Sequence, residues 1–144
     1  MPLPTDAPLA SLVSLLGSSL AMYVSDAGIW SYPGAEEIKL ALAALADDHR
    51  SLIERAGAAL EDRGLDVPRH PYPIQFTATH DLDLRALLPR IIAGLKAQIT
   101  GLEALAAPAD DPDAADLVGE ALTSTRTHLD ALQQLLARPH ASAS

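Results

Sequence analysis

Apolar residues recur at three- and four-residue spacing through four long segments of this chain, the period of a helix that buries one face. In the first, Leu9, Leu12, Leu16, Leu20, Tyr23, Ala27 and Trp30 share a face, which predicts a helix over about 7–30. In the second, Ile38, Leu42, Leu45, His49, Leu52, Ala56 and Leu60 form the inward line of a helix over about 35–63. Glu36 and Glu37 complement its positive end, and Gly64 supplies the left-handed residue that stops it. The third line, Leu84, Leu88, Ile91, Leu95, Gln98, Leu102 and Leu105, predicts a helix over 82–106. Thr79 or Asp81 caps it, and Pro89 implies a kink or a short preliminary turn. The fourth, with Val118, Leu122, Thr125, Leu129, Leu132 and Leu136, spans 112–137, started by Asp111-Pro112 and ended by Arg138-Pro139.

The connections decide how these helices run. Ser31-Tyr32-Pro33-Gly34 is a turn, whereas the crossover over 64–81 holds Pro68, Pro71 and Pro73, a density that blocks helix. So long a connection lets the third helix start at the opposite end from a hairpin's, so the second and third helices lie parallel. The expected fold class is all-α: one four-helix bundle over 1–144, with the tail 139–144 disordered.

Composition narrows the function classes. A chain of 144 residues buries a core without staples, and the absence of cysteine removes disulfides, thiolate zinc sites and thiol nucleophiles. A net charge of -9 repels phosphate backbones and anionic lipid, so neither nucleic acid nor a membrane is expected as partner. Residues 7–25 carry no charge, yet Ser11, Ser14, Gly17, Ser18 and Ser19 dilute their hydrophobicity and no Lys or Arg precedes them. The expected location is cytoplasmic. Ser11, Ser14, Ser18, Ala21 and Ser25 make a small, chargeless helix face, read as a homodimer interface rather than a serine-rich wet surface.

Candidate chemistry lies at the helix midpoints. Ser19, Tyr23, His49, Gln98, Thr125 and His128 are polar residues on or beside the inward lines, and a bundle holds a ligand where such side chains converge at one height. The plain reading is hydrogen-bonded core, with Gln98 and Tyr23 as partners of His49. The functional readings are a small-ligand pocket or, alternatively, one transition metal ion on His49 and His128, completed by Asp48, Glu120 or water. Haem on His49 is disfavoured by the bulky Leu lines. His70, Tyr72, Gln75, Thr77, Thr79, His80 and Asp81 concentrate polar groups in the crossover, which reads better as a packed cover. Phosphate-loop and calcium-loop patterns are absent, and no nucleophile turn accompanies His80-Asp81.

Over about 7–137 the helix lengths, the long crossover and the mid-helix polar positions resemble the ferritin-like superfamily. That resemblance implies a di-iron site with a Glu on two helices and Glu-x-x-His on the other two. The chain departs from it: Ala46 stands three residues before His49 and Thr125 three before His128. The first helix has no acid before Asp26, near its end, and the third offers Glu103 near its C-terminus. A DinB-like three-histidine site lacks its third member, since His70, His80 and His140 lie outside the helices. The expectation is a ferritin-like bundle with no resident cofactor, a non-catalytic, homo-oligomeric binding or structural module. The alternative is a metal-dependent enzyme using His49 and His128.

Overall fold

A computed structural model describes residues 7–27, 36–68, 72, 84–105 and 111–137. These form an all-α bundle of five helices: α1 (Ala7–Gly17), α2 (Leu20–Ala27), α3 (Glu36–Asp62), α4 (Leu84–Ala104) and α5 (Pro112–Ala137). The tail, the turn at 31–34, the proposed caps Thr79 and Asp81 and all of the crossover's polar cluster except Tyr72 lie outside the described residues. No helix of the described residues is long and apolar enough to cross a membrane.

The first segment differs from the single helix that its periodicity predicts. Gly17-Ser18-Ser19 places three weak helix formers in succession, and serine hydroxyls compete for backbone partners. Ser18 Oγ donates back to the Ser14 carbonyl at 2.6 Å, and the Met22 N–H donates to Ser19 Oγ at 3.2 Å. Ser19 is therefore the N-cap of a new helix. The break removes the Ser19 N–H from the Leu15 carbonyl, and Gln98 Nε2 of α4 donates to that carbonyl instead, at 2.7 Å.

The remaining boundaries follow local chemistry. At the end of α3, the Gly64 N–H donates to the Glu61 carbonyl and the Leu65 N–H to the Leu60 carbonyl, both at 2.9 Å, with Gly64 at φ 74°. This paired closure needs a left-handed residue, which glycine adopts without a Cβ penalty. Asp111 caps α5 through the Ala114 N–H at 3.2 Å and receives a two-pronged bond from Arg63 at 3.0 and 2.9 Å. The Arg63 hydrogen bonds hold the Asp111 carboxyl below its ordinary range against the opposing effect of burial, with the Ala114 N–H adding to them. Pro89 is exposed within α4, which continues through it.

The core divides into two apolar clusters. One joins Leu20 and Val24 of α2 to Leu42 and Leu45 of α3, Leu88 and Ile91 of α4 and Leu132 of α5. The other joins Leu12 and Leu16 of α1 to Leu52 and Leu60 of α3, Leu102 of α4 and Val118 of α5. The N-terminal halves of α3 and α4 thus meet at one end of the bundle. Arg63–Asp111, Arg55–Glu120, His49–Thr125 and Asp48–His128 contacts make α3 and α5 antiparallel. Residues 8–24 include none that is exposed: the apolar line of the first segment is buried, and Ser11, Ser14 and Ser18 are half-buried. Gly101 permits the close approach of α4, because a Cβ there would lie 3.1 Å from Leu15 Cδ2.

Candidate functional site

Between the two apolar clusters lies a polar level to which every long segment contributes: the Ser18-Ser19 break, His49, Gln98 and Thr125. His49, Gln98 and Thr125 each stand in the place of an apolar residue on their helix line, whereas Ser18 and Ser19 lie between Leu16 and Leu20 of the first line. Hydrogen bonding divides them. Gln98 and Ser19 serve the α1–α2 break. Tyr23 meets Tyr72 edge-on, with ring centroids 5.1 Å apart. His49, Thr125 and His128 come together at the α3–α5 seam.

His49 is completely buried, and its Nε2 lies 3.3 Å from Thr125 Oγ1, so its partner is neither Gln98 nor Tyr23. Burial pushes its pKa down to about 4; the neighbouring His128 acts in the same direction and Asp48 opposes. The imidazole is neutral at pH 7. Its Nδ1, like Gln98 Oε1 and Ser124 Oγ, is buried without a hydrogen-bond partner. An orphaned buried polar atom costs about 1–3 kcal/mol.

His128 sits at the rim of the same layer. Its Nε2 is 2.6 Å from Asp48 Oδ2, and its ring stands edge-on to His49 with centroids 6.2 Å apart. Each histidine thus has its Nε2 turned to a partner of its own. Among the described residues, no group of three or more His, Cys, Asp or Glu side chains is placed to hold a metal ion.

Outward from His128 opens a groove of about 680 Å³ between α3 and α5. From α3 it takes Asp48, Ser51, Leu52 and Arg55, which share one helix face at spacings of three and four. From α5 it takes Gly119, Glu120, Thr123, Ser124, Thr127 and His128. A hydrogen bond between His128 and Asp48 and an ion pair between Arg55 and Glu120 bridge the helices at its ends, each at 2.6 Å. Between them only small hydroxyl side chains, Leu52 and Gly119 face each other, so the seam is left open. A Cβ on Gly119 would meet nothing within 4 Å.

Sequence reasoning reached Asp48, Glu120 and His128 but missed Ser51, Arg55, Gly119, Thr123, Ser124 and Thr127. The signal was the run Thr123-Ser124-Thr125 followed by Thr127, four poor helix formers in the middle of a helix that gains nothing from them locally.

The chargeless face has a different setting. Ser11, Ser14 and Ser18 line a shallow depression of about 540 Å³ with Pro68, Gly101 and Leu105, and Ala21 is buried in the core. The Ser25 side chain lies outside the described residues.

No protein-family model matches this chain, and no curated protein and no solved structure is significantly similar to it.

Proposed function

We propose that this protein is a non-catalytic helical bundle of ferritin-like layout that binds a small molecule in the groove between α3 and α5. One observation carries the reading: an open seam between two cross-helix polar contacts is lined by hydroxyls. Long bulky side chains at these positions would have closed it. A concavity of this size with a few convergent polar groups on an apolar floor is the usual form of a small-molecule site. The ferritin-like layout is supported by the meeting of the N-terminal halves of α3 and α4, which the long intervening connection permits.

Gly119→Leu tests the reading, because it fills the groove from a position with free space and raises helix propensity. After incubation with a metabolite extract, native mass spectrometry is expected to show a small-molecule adduct on the wild-type protein that the variant lacks. Identical adduct patterns on both proteins would remove the groove as the binding site.

A further inference from the structure

We infer that the α3–α5 groove takes a neutral polyhydroxylated ligand, a sugar or polyol of about disaccharide length. This inference rests on the groove being the binding site. The length comes from its end bridges. Asp48 and Arg55 are seven residues apart on α3, which at about 1.5 Å of rise per residue separates them by about 10 Å.

The chemistry comes from what the groove leaves unpaired. Both carboxylates already have a partner across the seam, Asp48 hydrogen-bonded to His128 and Glu120 paired with Arg55. A charged ligand would share Asp48, Glu120 or Arg55 with the partner each already has. Between the bridges stand Ser51, Thr123, Ser124 and Thr127. A hydroxyl both donates and accepts, as the hydroxyls of a polyol do, whereas an anion only accepts and an amine cation only donates. Ser124 Oγ is buried and has no partner among the described residues, so a turn of its side chain toward the groove would give it one on a ligand hydroxyl. The Leu52 side chain offers an aliphatic floor to the C–H face of a sugar ring. Among the described residues that line the groove none is Phe, Tyr or Trp, so a planar base or cofactor ring finds no large stacking surface there.

The test is an amide-shift titration by NMR of the full chain with trehalose, maltose and myo-inositol, beside glucose 6-phosphate and spermidine as charged probes. Shifts in residues 48–55 and 119–128 are expected with at least one neutral probe, and Gly119→Leu is expected to weaken them at least about tenfold. The thermal midpoint of the variant should match or exceed that of the wild type, which separates blocked binding from unfolding. Ser124→Ala, which leaves the groove open, should weaken the same titration by a smaller factor. Groove shifts caused by a charged probe alone, and lost in Gly119→Leu, would overturn the neutral class while leaving the groove as a site. Absence of groove shifts with all five probes, or shifts unchanged in Gly119→Leu, would overturn this inference. Equal metabolite adducts on both proteins would then remove the site itself.

Discussion

His49 couples the fold to pH through its burial. The unfolded chain takes up a proton at the ordinary histidine value of 6.5, whereas the folded imidazole resists until about 4. Its neutral form is the native one, so the stability it secures is complete above the unfolded value and is lost as pH falls through that window. The slope is about 1.4 kcal/mol per pH unit, and the loss reaches about 3 kcal/mol at the acid end. Asp111 acts lower. Its depressed carboxyl contributes above the ordinary carboxylate range, and that contribution disappears as pH falls through the lowered value. Urea unfolding at pH 7, 5.5 and 4.5 should show the wild-type midpoint falling through the histidine window. His49→Leu combined with Thr125→Val leaves neither partner orphaned and should flatten that part of the profile. An unchanged slope would assign the acid sensitivity to other groups. The burial of His49 was legible because it stands between Leu45 and Leu52 on a clean apolar line. Its partner was not, because residues 49 and 125 meet only when α3 and α5 pack in one register.

At the scale of elements, the α1–α2 break shows where periodicity misleads. The apolar line runs through it without a phase error, so Leu16 and Leu20 still share a face and a single helix is the natural reading. Three weak formers lower the cost of interrupting the helix, but the interruption also needs a donor for the Leu15 carbonyl. Gln98 supplies it from a helix more than eighty residues later. Ser19→Ala should remove the α2 cap and destabilise the bundle by about 1 kcal/mol. Gln98→Leu should cost about 1–3 kcal/mol by leaving the Leu15 carbonyl unpaired. Because both residues serve one break, the double variant should lose less than the sum of the single losses, as chemical denaturation would show. Full additivity would mean that the cap and the clamp are independent. By contrast, the stop at Gly64 and the start at Asp111-Pro112 were readable because caps are local: the residues that end a helix lie within a few positions of its last turn.

For the whole molecule, the setting of the chargeless face bears on assembly. Ser11, Ser14 and Ser18 are half-buried and line a shallow depression beside Gly101 and Leu105 of α4, where a partner helix with small side chains could lie. Among the described residues, the large apolar side chains that are exposed are Leu40, Val67 and Leu136. If the Ser face is a homodimer interface, sedimentation velocity at tens of micromolar should return the mass of two chains, and Ser14→Glu should return that of one. The mass of one chain for both proteins would remove this face as an interface. The sequence by itself determined the all-α class, the helix ends and the placing of polar residues midway along each line, because period and capping are encoded within a few turns. Only the tertiary structure decided which polar residues pair, where the first helix breaks and which seam stays open. Those outcomes depend on the faces that meet and on the side-chain volumes that fill or fail to fill the space between them.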